Sequence, residues 1–289
     1  MDSIDRERLS SRSIRFAFTA KQNFDDGFAM NPQEITKHGD ELYDALVKCQ
    51  TVAPLTERIP GITIENAYHI QERLIRRRLD AGETVIGKKV GATSKVVQNM
   101  LGVQQPDFGS LLSGMLYNEG EAIPISRLIQ PKAEGEIAFI LKRDLMGPGV
   151  TTAEVLAATE SVMPCFEIVD SRIKDWKIKI QDTVADNASC GVFVLGDRAV
   201  DPRKVELGLA GMVLEKNGEI VGIGAGAAAL GHPLNAMAWL ANTLGLLGIP
   251  LKAGEVILSG SLAALIPVQL GDSLRVSIGG IGGCSVRFV

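Results

Sequence analysis

Apolar residues recur at helical spacing over 65–81, where Ala67, Ile70, Leu74 and Ile75 share one face, Thr63 or Asn66 precedes as a cap and Gly82 follows as a stop. The spacing predicts an amphipathic helix. A second helix-like run extends from Gly39 through Asp44 to Cys49. The period then changes: residues 84–90 form a short β-branched run entering Gly91, and a strand there delivers Lys88 and Lys89 to opposite faces. Strand, helix and strand follow at 136–141, 151–162 and 165–170, with Thr151 and Glu154 as a capping box and Pro164 closing the helix. After Gly191 the pattern is β-rich, at 191–195, 207–215, 219–223, 255–260, 273–278 and 285–289, and Asn217-Gly218 marks a hairpin turn. One helix interrupts these strands, from Pro233 through Met237, Leu240, Ala241 and Leu244, with His232 at its entry.

No repeat or low-complexity linker divides this pattern, which leads to one α+β domain, expected to be catalytic, over 38–289, with a helical N-terminal part at 38–83 and a β-rich core at 84–289. Residues 1–37 show no sustained period and read as a flexible extension. Met30 followed by Asn31 and Pro32 resembles a natural start, so residues 1–29 read as a leader or an over-long gene start. With 46% hydrophobic residues the chain is too apolar to be disordered, and a net charge of −4 offers no broad basic footprint for nucleic acid. Arg73, Arg76, Arg77 and Arg78 lie beside Glu72, Asp80 and Glu83 and read as a solvated or interface face. No apolar stretch approaches the length of a membrane span and the first 20 residues lack a secretory core, so the expected location is the cytoplasm. Cys49, Cys165, Cys190 and Cys284 have no ligand spacing and read as reduced packing residues.

The most informative chemistry is Glu134-Gly135-Glu136, because two carboxylates spaced by two on a strand share a face. Glu167 is a third, set in the apolar run Met163-Pro164-Cys165-Phe166-Glu167-Ile168-Val169, where burial requires something positive. Three converging carboxylates suit Mg²⁺ or Mn²⁺. The alternative is that Glu134 and Glu136 pair with Lys132 or Arg143 and that Glu167 is the partner of a buried base. An inward Lys89 would bind an anion or transfer a proton, and otherwise both lysines reach solvent. Asp107 in Gln105-Pro106-Asp107-Phe108-Gly109 is an acid/base candidate or a turn residue. The polar run from Asp182 to Gly191 has the density of a pocket lining. Gly222-Ile223-Gly224-Ala225-Gly226 and Gly279-Gly280-Ile281-Gly282-Gly283 do not open helices, which disfavours a dinucleotide fold, and no histidine pairs with a nucleophile motif.

Taken together, Ile86-Gly87-Lys88-Lys89-Val90-Gly91, Leu101-Gly102-Val103 with Gln105-Pro106-Asp107-Phe108-Gly109, Pro131-Lys132-Ala133-Glu134-Gly135-Glu136-Ile137-Ala138, Asp170-Ser171-Arg172 with Asp175-Trp176, and Val184-Ala185-Asp186-Asn187-Ala188-Ser189 are specific. From about Gly39 to Val289 the chain resembles the 2-hydroxypenta-2,4-dienoate hydratases of the fumarylacetoacetate hydrolase superfamily. The resemblance implies a mixed β-roll with flanking helices, a homo-oligomer, and addition of water to 2-hydroxypenta-2,4-dienoate to give 4-hydroxy-2-oxopentanoate in the meta-cleavage catabolism of aromatic compounds. It also implies Glu134, Glu136 and Glu167 as ligands of Mg²⁺ or Mn²⁺. Lys89 would then serve proton transfer or carboxylate binding, Asp107 would act as acid/base, and Phe108, Ser189 and Ser259 would meet the substrate. The competing readings are the sister 4-oxalocrotonate decarboxylase, and a non-catalytic partner subunit in complex with it.

Overall fold

The structure, a computed structural model, describes residues 30–289. The leader expected at 1–29 lies outside the described residues. Asn31 caps the first helix, α1 (Pro32–Val47): its side chain accepts from the Glu34 amide, Glu34 reaches back to the Asn31 amide, and Pro32 fills the first turn, where no amide is needed. Residues 32–37, placed in the extension by sequence, therefore belong to the folded helix. A short turn of helix, α2 (Leu55–Arg58), leads to α3 (Ile64–Asp80), which Thr63 and Asn66 open by a reciprocal pair of bonds. Leu42, Leu55, Ala67, Ile70 and Leu74 form the core of this helical part. The arginine run joins these elements rather than facing solvent as a block. Arg73 and Arg77 both bind Asp40 of α1, Arg77 also covers the Tyr43 ring, and Arg78 is buried against Glu83.

The β-rich part opens with β1 (Val85–Gly91), α4 (Lys95–Leu101), β2 (Asp107–Leu112), β3 (Leu116–Asn118) and β4 (Ala122–Ile123). It continues with β5 (Pro131–Leu141), α5 (Thr152–Ala158), β6 (Thr159–Asp170), α6 (Ile180–Ala185) and β7 (Cys190–Leu195). The hairpin β8 (Gly211–Lys216) and β9 (Glu219–Ala225), α7 (Pro233–Leu246), β10 (Val256–Leu258), β11 (Ile266–Pro267), β12 (Ser273–Ile278) and β13 (Gly282–Phe288) complete it. The larger sheet runs β2-β1-β10-β5-β6-β7-β3, with β11 also on β5, and the smaller runs β4-β13-β12-β8-β9. The two sheets with their flanking helices form an α+β fold. Phe139, Phe166, Met212 and Val276 of the sheets pack with Leu240 of α7 into one core. Gly135 sets the spacing between the sheets, since a Cβ there would lie 2.6 Å from Met212 Sδ and 2.9 Å from Val276 Cγ2. His232 caps α7 as expected, accepting from the Leu234 amide at 3.1 Å.

The predicted helix at 151–162 stops at Ala158, and its last residues instead extend β6, where Val162 pairs with Phe139 and Thr159 with Leu141. Local propensity loses there to the ladder with β5. Pro164 does not end a helix but sits inside β6. Its partner Ile137 turns its carbonyl away to Ser259, so the proline removes no bond from that ladder, and its own carbonyl accepts from Gly196.

Candidate active site

Pleating puts Glu134 and Glu136 on one face of β5, and the antiparallel register sets Glu167 of β6 directly opposite Glu134. One oxygen from each of the three lies within 4.8 Å of the others. Glu136 and Glu167 are fully buried, while Glu134 is half-buried. Glu136 Oε2 accepts from the Gly260 amide at 2.7 Å, and Gly260 holds φ +104°, a left-handed value that no β-carbon tolerates here because Thr93 would stand 2.4 Å away. Glu136 Oε1 and both oxygens of Glu167 have no hydrogen-bond partner.

Lys88 and Lys89 leave β1 on opposite faces, and neither reaches solvent. Lys88 is buried against Glu255 at 2.7 Å. Lys89 lies 3.2 Å from Glu167 Oε1 and donates to the Ala188 carbonyl at 3.1 Å. Asp107 is not on a turn: the bend falls at Gln104-Gln105, and Asp107 is the first residue of β2, paired with Gly91 of β1. It is buried, with Oδ1 unpartnered. Lys132, the surface partner considered for Glu134, sits over the Trp176 ring instead.

The charges do not balance. Four carboxyl groups share the space with one ammonium, so burial and the neighbouring Glu167 charge push Glu134 up to about 7, and the same causes hold Glu136 well above its ordinary range. Burial and Glu167 also raise Asp107, against the pull of Lys89. Burial presses on the Lys89 ammonium, but Glu167, Asp107 and Glu134 outweigh it and keep it charged. Unpartnered buried carboxylate oxygens grouped in this way are the donor set of a hard divalent cation, and the residues present fit one.

Phe108 follows Asp107 on β2 and stacks on Tyr68 of α3, centroids 4.5 Å apart. Ser259 is buried and donates to the Ile137 carbonyl at 2.9 Å. Ser189 bonds Thr183 within the polar run, where Asn187, Ala188 and Ser189 all hold positive φ. A clamp that sequence reasoning missed holds that turn: Arg172 pairs with Asp186 and donates to the Cys190 carbonyl at 2.9 Å, while the Asn187 amide bridges Ser110. Arg172 stood in a quoted motif, but its partner was invisible without the fold. A cleft of about 290 Å³ has Gln104 and Gln105 at its mouth and Asp107 at its inner end. The larger cavity, about 760 Å³, lies beside Arg198 and Arg275 on the smaller sheet and shares no residue with the carboxylate group.

Residues 86–289, the stretch that carries all of these carboxylates, match the family model "Fumarylacetoacetate (FAA) hydrolase C-terminal". The chain belongs to the fumarylacetoacetate hydrolase family. Among relatives in this family, the 2-hydroxypent-2,4-dienoate hydratase of Pseudomonas putida is 69% identical over 221 residues, 76% of this chain and 100% of that one. The 2-hydroxyhexa-2,4-dienoate hydratase of Comamonas testosteroni is 60% identical over 258 residues, 89% of this chain and 98% of that one. A solved structure, 4-oxalocrotonate decarboxylase from Pseudomonas putida G7 complexed with magnesium and adipate, superposes at TM-score 0.88 with 36% identity, covering 90% of this chain and 99% of that one. The fumarylacetoacetate hydrolase fold expected from sequence is thus the observed one.

Proposed function

We propose that this chain is a metal-dependent hydratase that converts 2-hydroxypenta-2,4-dienoate and water to 4-hydroxy-2-oxopentanoate in the meta-cleavage catabolism of aromatic compounds. The observation that carries the reading is the group of carboxylates with unpartnered buried oxygens beside a charged Lys89 and the bare Oδ1 of Asp107, in a chain 69% identical over 221 residues to a hydratase. Glu134, Glu136 and Glu167 would hold a divalent cation, Mg²⁺ or Mn²⁺, which would supply Lewis-acid stabilisation of negative charge developing on the 2-oxo acid. Lys89 binds the substrate carboxylate. Asp107, buried and raised in pKa, carries a proton to the terminal carbon while the 2-hydroxyl releases its own to solvent, which leaves a conjugated ketone; it then takes a proton from the water that adds at C4, and C3 gains one from solvent in exchange for that released by the hydroxyl. Phe108 closes one side of the substrate, and the hydroxyls of Ser189 and Ser259 keep lone pairs free to accept from it. On the same reading the enzyme is cytoplasmic and homo-oligomeric, and it associates with 4-oxalocrotonate decarboxylase, which co-purification tests.

The decisive experiment follows the dienol ultraviolet absorbance as the purified full chain meets 2-hydroxypenta-2,4-dienoate, with Mg²⁺ or with EDTA. Metal-dependent loss with a product one water heavier is expected. The high superposition on a decarboxylase favours a second reading. No hydration, together with CO₂ release from 2-oxo-3-hexenedioate, would replace the first reading with that one.

A further inference from the structure

The cleft that ends at Asp107 has exposed Gln104 and Gln105 at its mouth, and inside them its walls are apolar side chains of α3, α6 and the loop after α4, with one exception besides Asp107 itself. That exception is Tyr68. Its ring is fixed in place, stacked on Phe108 with centroids 4.5 Å apart and planes 17° from parallel. Gln71, one turn further along α3, donates to the Phe108 carbonyl at 3.1 Å and to the Val184 carbonyl at 2.9 Å, which ties the helix to β2 and to α6. Burial and then the Asp107 charge keep the phenol protonated, against the pull of the neighbouring Phe108 amide.

Tyr68 and Asp107 line one space without bonding to each other. Among the described residues the Tyr68 hydroxyl donates to no acceptor, and Asp107 Oδ1 is bare. Two polar groups that face one cleft across such a gap are what a single water joins, and the path from solvent runs past Gln104 and Gln105. Resting on the hydratase reading, we infer that Tyr68 is a further catalytic residue, whose hydroxyl holds against Asp107 the water that adds at C4. That water accepts from the Tyr68 O–H and donates one hydrogen to the Asp107 carboxylate, which leaves it a lone pair for C4. As the O–C4 bond forms, the donated hydrogen passes to Asp107, the C3=C4 electron pair moves toward C2, and C3 then gains its proton from solvent. Tyr68 ends with the proton it began with.

Tyr68→Phe keeps the ring and its stack and removes only the hydroxyl, so it separates the two steps. With the Mg²⁺-loaded full chain in excess over 2-hydroxypenta-2,4-dienoate, a single turnover is followed by the dienol absorbance and by product analysis after an acid quench. The variant is expected to consume the dienol at the parent rate, because Asp107 still protonates the terminal carbon. It is expected to form 4-hydroxy-2-oxopentanoate about 10- to 100-fold more slowly, the scale of a misplaced reactant, with the conjugated ketone accumulating in its place. Unchanged hydration by the variant would overturn the inference, and so would an equal loss of both steps, which marks a ring that only shapes the cleft. A parent chain that yields no hydrated product would remove the hydratase reading and the inference with it, whereas hydration by parent and variant alike would remove the inference alone.

Discussion

Around Arg172 the buried charges are matched group for group, whereas around Glu167, a little earlier on the same stretch of chain, they are not. Arg172 spends its guanidinium on Asp186 and on the carbonyls of Asp170, Cys190 and Asp186, and Asp186 Oδ2 also accepts from the Arg172 amide at 2.9 Å. Glu167 has one off-axis ammonium near it and no hydrogen bond, and Glu136 and Asp107 each keep a bare oxygen. Both clusters are equally dry. A satisfied buried ion pair fixes the backbone around it, while an unsatisfied one marks a place where the protein expects a partner that is not part of its own chain.

Substitutions should separate the two clusters cleanly. Glu136→Gln keeps an oxygen for the Gly260 amide but removes a charge, and hydration should fall at least about a thousandfold in kcat/KM, the scale of several kcal/mol of charge stabilisation. In the metal-free chain its melting temperature should not fall, because one of the crowded carboxyl groups has gone. Arg172→Met should do the opposite first, lowering unfolding free energy by about 3–5 kcal/mol in urea titration, since it strands Asp186 in the interior. If Arg172→Met unfolds no more easily than the parent, the contrast between scaffold and site is wrong.

The next effect is on pH. Glu134 titrates at about 7 when folded against 4.5 for a free glutamate, so the folded metal-free chain binds the extra proton between those values. Its contribution to stability is complete below about 4.5 and is lost as pH rises through about 7. Asp186, raised by burial to about 6 from 3.8, loses stability in the same direction over its own lower window, with or without metal. Mg²⁺ prefers ionised carboxylates, so at about a hundredfold excess over Kd it should raise the melting temperature by about 5–10 °C at pH 8 and much less at pH 5. A shift independent of pH would mean that the metal binds elsewhere. The smallest effect concerns Gly91, where a β-carbon would press on Asp107 Oδ1 at 2.1 Å. Gly91→Ala should cost about tenfold in kcat through a displaced acid, with metal affinity unchanged by calorimetry.

Much of this site was legible in the chain because strand pleating is a local rule. The spacing of Glu134 and Glu136, the solitary Glu167 in an apolar run, and the alternation of Lys88 and Lys89 each announced a facing before any fold was known. What could not be read was register and closure. Nothing near Glu134 says that Glu167 lies opposite it, and nothing near Lys88 points to Glu255 or near Glu136 to Gly260. The end of the helix after Ala158 failed for the same reason, since Thr159 to Val162 are decided by Leu141 and Phe139 on another strand. The first turn of α1 has its cap spelled out in Asn31, Pro32 and Glu34, but the apolar period around them is too weak to mark a helix.

The place of β10 carries a consequence for biosynthesis. Lys88 and Lys89 are made early, yet β1 is held on one edge by residues 256–258, and the groups that steady Lys88 and Glu136 are supplied by residues 255 and 260. A nascent chain that already contains all three glutamates still lacks β10, the strand that joins β1 and its Lys89 to β5 and its glutamates. The reactive cluster therefore matures only in the last stages of synthesis. Premature termination before Glu255 yields a product with every ligand and no site, which protease sensitivity of ribosome-stalled chains would reveal as a late, abrupt gain of protection.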